Sequence, residues 1–188
     1  LVPEMIAREI GWVVENDSDS ASAICDYLSN RSLLLILDNF EQVIDGGAFI
    51  SQLVRSSMST VIVTSREVLR ISGERSYELQ PLSTPGVDSD ITPSDAVSHP
   101  AVALFVQCAQ AVRHGFELTD RNAGVIVELC QKLDGLPLAI ELAASRLRVF
   151  SETELLDRVS DRMTTLKSGR RDVPTRQQTM RGAIEWSS

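Results

Sequence analysis

The sequence predicts an α/β unit built on a parallel sheet, followed by an all-α helical bundle, on three observations. A continuous apolar run, Leu33-Leu34-Leu35-Ile36-Leu37, stops at Asp38, as expected of a strand buried on both faces with helices on each side of the sheet. A β-branched run, Thr60-Val61-Ile62-Val63-Thr64-Ser65, follows after a helix-length segment, which makes a β-α-β unit. Beyond Pro100 the pattern is helical throughout.

Taken in order, Val2, Ile6, Ile10 and Val13 fall at helical spacing, with Pro3 in the first turn, which predicts an amphipathic helix from Val2 to Val14. Asn16-Asp17-Ser18-Asp19-Ser20 breaks it, and a shorter helix carrying Ala21, Ile24, Cys25 and Leu28 leads to the leucine-rich strand. Gly46-Gly47 precedes a crossover helix with Phe49, Ile50, Leu53 and Val54 inward. Ser76 to Leu82 alternates and contains Pro81, as a short edge strand would. Thr84 to His99, rich in Ser, Pro, Thr and Asp, reads as a linker. Helices are then expected over Pro100 to Val112, over Asp120 to Leu133 with Thr119 as N-cap, and over Pro137 to Leu147. Ser151-Glu152-Thr153-Glu154 is a capping box opening one more short helix, and Thr175-Arg176-Gln177-Gln178 repeats the arrangement before Met180, Ala183, Ile184 and Trp186.

The two strands are expected to present Asp38 and Arg66 at the carboxyl edge of the sheet, where open α/β sheets bind ligands. The carboxylate suits Mg²⁺ through water, and the guanidinium suits a terminal phosphate. An Asp at a strand end also caps turns, and a surface ion pair of Arg66 with Asp38 or Glu67 would account for the same residues. Gly135-Leu136-Pro137 joins two helices, the Gly ending one in a left-handed conformation and the Pro opening the next.

In this order, LLLILDNFEQV, VIVTSREVLRISGE and GLPLAIELAA, the chain resembles the signal-transduction ATPases with numerous domains (STAND class). The likeness is to the bacterial branch found in LuxR-type and AfsR-type transcriptional regulators, cousins of the NB-ARC switches. The resemblance implies a remnant of a P-loop NTPase parallel sheet followed by an all-α helical bundle and the start of a winged helix. Its divisions would be 1–83 for the sheet domain, 84–99 for a linker, 100–166 for the bundle and 167–188 for the winged-helix start.

It further implies ATP or ADP with Mg²⁺ as cofactors of the complete protein. Asp38 would be the Walker B acid that orients water around the metal, and Arg66 the sensor of the γ-phosphate, with Thr64 and Ser65 adding hydroxyl contacts, although strand-end hydrogen bonds account for those two equally well. Pro137 would lie against the adenine, and Gly135 would permit the turn. The side-chain amide of Asn39, next to the acid, cannot accept a proton; Glu41 would substitute as base only if the turn brings it inward, and otherwise reads as a helix-start or surface residue. Arg70 and Glu74 would be secondary polar contacts or, as the commoner case, simply exposed.

No Gly-x-x-x-x-Gly-Lys-Ser/Thr stretch occurs in the sequence, and that loop supplies the backbone N–H cradle for phosphates. The expectation is therefore an internal piece that keeps the metal and sensor half of a nucleotide site. Its partners would be an upstream P-loop segment, the downstream domains of the parent, and a second copy through unpaired strand edges. Such a piece should bind ATP weakly by itself and hydrolyse none. The rival expectation is a nucleotide-independent interaction module derived from such an ATPase.

Composition bounds the rest. The 188 residues carry a net charge of −8, which argues against this segment gripping a phosphate backbone. The basic cluster Lys167-Ser168-Gly169-Arg170-Arg171 reads as a solvated loop. Three scattered cysteines, Cys25, Cys108 and Cys130, suit reduced core thiols in a cytoplasmic protein. No apolar run reaches membrane-spanning length. His99 and His114 are expected at helix ends or on the surface.

Overall fold

A computed structural model describes residues 2–12, 20–86 and 91–169, with side chains through residue 161. The chain separates into two compact units, Leu1–Glu78 and Leu79–Ser188.

In the first unit, helices α1 (Val2–Glu9), α2 (Ser20–Leu28) and α3 (Gly47–Ser56) accompany strands β1 (Leu34–Leu37) and β2 (Thr60–Val63). The strands pair in parallel, Leu34 opposite Thr60 through Leu37 opposite Val63, as the β-α-β pattern requires. Helix α1 is shorter than its apolar spacing suggested, because Gly11 at φ +70° turns the chain out of the helix. The core gathers Ile6, Ile24, Leu28, Phe40, Ile50 and Leu53, with Leu35, Leu37, Val61 and Val63 packed against it.

Two expectations about the sheet are corrected. The leucine-rich strand is not buried on both faces: Leu34 and Ile36 are 59% and 65% exposed, and Ile62 is 49% exposed. Five apolar residues in a row fit a two-sided burial, but among the described residues only one side of the sheet is covered. Residues 76–82 form no strand either, and the sheet has two strands among the described residues. Tyr77 and Leu79 stand in solvent, 85% and 78% exposed. Alternation makes a segment fit for pairing, yet it supplies no partner.

The second unit is helical: α4 (Pro93–Val97), α5 (Pro100–Val112), α6 (Ala123–Lys132), α7 (Pro137–Ser145) and α8 (Glu152–Gly169). Val102, Phe105, Ile126, Leu129, Ile140 and Leu155 fill its core. Residues 91–99 are more structured than the composition of the stretch suggested. Thr92 caps α4 by accepting the Asp95 amide at 3.2 Å, and Ala96 of that helix is fully buried in the bundle core. Helix α6 begins later than the sequence pattern indicated, because Asn122 Oδ1 accepts the Thr119 amide at 2.7 Å and holds residues 119–122 in a turn.

The capping box of α8 is present: Glu154 accepts the Ser151 amide at 2.9 Å and its hydroxyl at 2.8 Å, and the Glu154 amide donates back to the hydroxyl at 3.4 Å. That helix is long rather than short, and it takes Lys167–Gly169 into its last turn. Arg170, Arg171, the second capping box at Thr175 and the expected winged-helix start with Ile184 and Trp186 lie outside the described residues.

The cysteines are free thiols. Burial pushes Cys130 up to about 12, which keeps it protonated. Among the described residues no helix is long and apolar enough to cross a membrane.

Candidate functional site

The strand register decides what meets at the carboxyl edge of the sheet. Leu37 pairs with Val63, so Asp38 and Thr64 are the first residues past the ladder. The Thr64 amide still donates to the Leu37 carbonyl at 2.9 Å, and the Thr64 carbonyl accepts the Phe40 amide at 3.0 Å. Between these bonds Asn39 adopts a left-handed conformation, φ 57° and ψ 41°, which Asn tolerates better than most residues. Its amide donates to Thr64 Oγ1 at 3.1 Å, and the same hydroxyl donates to Asp38 Oδ1. Thr64 is thereby a clamp across the two strand ends, and Asp38 remains exposed.

The left-handed turn sends Phe40 into the core, 2% exposed, and brings the next residue over the edge. Glu41 is the second residue of a 3₁₀ segment, Phe40–Gly46. Its Oε1 accepts from Arg66 Nε at 2.7 Å, with the Glu41 side chain 12% and the Arg66 side chain 73% exposed. The Arg66 hydrogen bond, reinforced by a bond to its own backbone, holds the Glu41 carboxyl below the usual carboxylate range.

Four of the expected site residues, Asp38, Glu41, Thr64 and Arg66, therefore converge on one edge. The ion pair that forms is Arg66 with Glu41, whereas residue types alone had suggested Asp38 or Glu67 as the partner of Arg66.

Neighbouring polar residues have local duties. Ser65 Oγ accepts the Glu67 amide at 3.1 Å. Glu74 accepts the amides of Leu69 at 3.1 Å and Ile71 at 3.3 Å, so it pins the loop after β2. Arg70, between them, is exposed at φ 57°. An open depression beside this loop is lined by Ile44, Glu67, Val68 and Arg70. The role of Glu74 was not apparent in the sequence, though an acid one residue after Gly73 is a fair signal of a loop that closes on itself.

Gly135 and Pro137 belong to the second unit. Asp134 at φ 53° and Gly135 at φ 64° end α6 in two successive left-handed residues, and the Gly135 amide reaches the Cys130 carbonyl at 3.1 Å. The Gly135 carbonyl accepts the Leu82 amide at 3.0 Å. A Cβ at this position would run into the Leu82 carbonyl. Pro137 occupies the first turn of α7 and is exposed, while Ala139, Ile140, Ala143 and Ala144 are the buried positions of that helix. The strap does not end at Leu82. Gln131 Nε2 donates to the Pro85 carbonyl at 2.8 Å, and the Ala101 amide donates to the Ser83 carbonyl at 3.3 Å.

As a cation site the edge offers one exposed carboxylate. No cluster of three or more His, Cys, Asp or Glu able to hold a metal occurs among the described residues. That donor set does not fit a bare structural ion. Mg²⁺ that keeps most of its waters and is carried by a phosphate commonly takes only one or two protein carboxylates.

Comparison with known proteins places the chain among relatives named as transcriptional regulators. It is 33% identical over 189 residues to a Mycobacterium tuberculosis protein named "Putative HTH-type transcriptional regulator", the match covering 100% of this chain and 20% of that protein. A Mycobacterium bovis protein of the same name matches equally. An uncharacterized Mycobacterium tuberculosis protein is 30% identical over 180 residues, which is 95% of this chain and 42% of the relative. The chain thus spans about a fifth of the length of the first of these relatives. No family model matches the chain, and no solved structure matches it.

Proposed function

We propose that these residues form the metal-and-sensor half of an ATP-dependent STAND-class switch within an HTH-type transcriptional regulator. The observation that carries the reading is the convergence of Asp38, Thr64, Glu41 and Arg66 on the carboxyl edge of a parallel strand pair. In this reading Asp38 orients the water around Mg²⁺, and Thr64 fixes the Asp38 carboxylate. Arg66 receives the terminal phosphate. Bound Mg²⁺ supplies charge neutralisation to the phosphates. Asn39 offers an amide where a proton acceptor would be needed, so hydrolysis is slow and the bound state persists.

Gly135 shapes the joint that sets Pro137 in the first turn of α7. The exposed apolar residues Leu34, Ile36 and Ile62 suit cover by an upstream segment of the same protein carrying the P-loop. The net charge of −8 leaves DNA reading to other parts of the regulator.

The exposed sheet face also favours a second reading, an interaction module that needs no nucleotide. Titration of the complete protein with a fluorescent ATP analogue and Mg²⁺ separates the two. Binding that is weakened several-fold, yet still measurable, in Arg66→Ala and in Asp38→Ala supports the switch. Absence of binding by the complete wild-type protein leaves only the interaction module. The 188 residues by themselves should show no low-micromolar affinity.

A further inference from the structure

The backbone fixes both halves of the Glu41–Arg66 pair. The left-handed turn at Asn39 and the buried ring of Phe40 determine where Glu41 emerges. Arg66 follows Thr64 by two residues, and the amide, carbonyl and hydroxyl of Thr64 are all bonded to the β1 side. The two side chains then differ in access. Glu41 is sheltered at 12% exposure, while Arg66 is open at 73%, held through Nε alone in the bond described. A guanidinium binds carboxylate and phosphate through the same fork of N–H groups. An anion arriving from solvent can therefore reach Arg66 but must compete with Glu41 for it.

We propose that Glu41 is a built-in counter-anion that holds Arg66 while no terminal phosphate is present and gives it up when one binds. This rests on the ATP reading of the same site. Glu41 is then a specificity residue rather than a base. It competes only with a ligand long enough to reach Arg66, so it weakens the site for a nucleoside triphosphate and leaves a diphosphate nearly untouched, which sets how far the site prefers one over the other. A ligand shifts such an equilibrium only by its differential contacts in the two states. Here the contact exchanged is one solvent-reached ion pair. Its modest strength limits the effect to roughly two- to five-fold in affinity.

The test uses the complete regulator and compares ATP·Mg²⁺ with ADP·Mg²⁺ by calorimetric titration in the wild type, Glu41→Gln, Arg66→Ala and the double variant. Glu41→Gln should tighten ATP about two- to five-fold and ADP less, and the gain should vanish in the Arg66→Ala background. Glu41→Asp, which keeps the charge but shortens its reach, should give a smaller gain in the same direction, and it serves where Glu41→Gln folds poorly. Unchanged or weaker ATP binding in both Glu41 variants overturns the inference and leaves the ATP reading standing. So does equal tightening for ATP and ADP, or tightening that survives in Arg66→Ala. Failure of the wild type to bind ATP removes the ATP reading, and the inference with it.

Discussion

The two units solve the burial problem to different degrees. In the helical unit the apolar stripes of α5, α6, α7 and α8 close on one another, and Phe105, Leu129, Ile140 and Leu155 are fully buried. In the sheet unit the inward row Leu35, Leu37, Val61 and Val63 is packed, while the outward row Leu34, Ile36 and Ile62 faces water. A two-stranded sheet is marginal without cover. The lesson is that a helical bundle completes its core from local sequence, whereas a parallel sheet depends on strands and helices brought from a distance. The candidate site lies on the less complete side of that contrast.

Substitutions can break or sharpen this comparison. The largest effect is expected for Phe105→Ala, which should cost about 3–5 kcal/mol in urea unfolding of the helical unit, because a buried ring leaves a cavity. Gly135→Ala comes next. It forces a side chain into a left-handed residue against the Leu82 carbonyl and should cost about 1–3 kcal/mol in the same measurement.

Ser151→Ala removes the N-cap of α8 and should lower stability by about 1 kcal/mol at neutral pH. Its penalty should depend on pH. The Glu154 carboxyl is held below the usual range, first by the Ser151 amide and then by its hydroxyl. A depressed carboxylate stabilises the fold above its unfolded pKa, and that contribution is lost as pH falls through the folded value. The gap between wild type and Ser151→Ala in thermal melts should therefore narrow in acid below the ordinary carboxylate range.

Ile36→Thr should have the smallest effect, within about 0.5 kcal/mol for this chain, because the side chain already faces water. A loss several times larger in thermal melts of the complete protein would show that the outward row is covered there, and the same small value in both would mean that it is not.

Part of the site was readable in advance for a definite reason. Parallel strands in register put their following residues at one edge, so Asp38, Thr64 and Arg66 could be grouped from two apolar runs. The partner of Arg66 could not be read the same way. It depends on the backbone of Asn39, where a left-handed turn exchanges the directions of Phe40 and Glu41, and sequence spacing does not encode that turn. An Asn two residues beyond the end of an apolar strand and before an aromatic residue was the available hint.

The cover of the sheet was misjudged because apolar residues on both faces say what could be buried, not what is. Helix α4 was overlooked although Thr92-Pro93-Ser94-Asp95 carries a cap, a first-turn proline and an acid in the right order. Composition masked a short helix that three residues had announced.

The strap from Leu82 to Gly135 bears on how force would travel along this chain. Backbone tension leaving the sheet unit meets a hydrogen-bonded anchor on the turn ahead of Pro137 before it can load any helix of the bundle beyond residue 86. A pull on residue 82 reaches that turn through the Leu82–Gly135 hydrogen bond, at a place where any side chain larger than hydrogen would meet the Leu82 carbonyl.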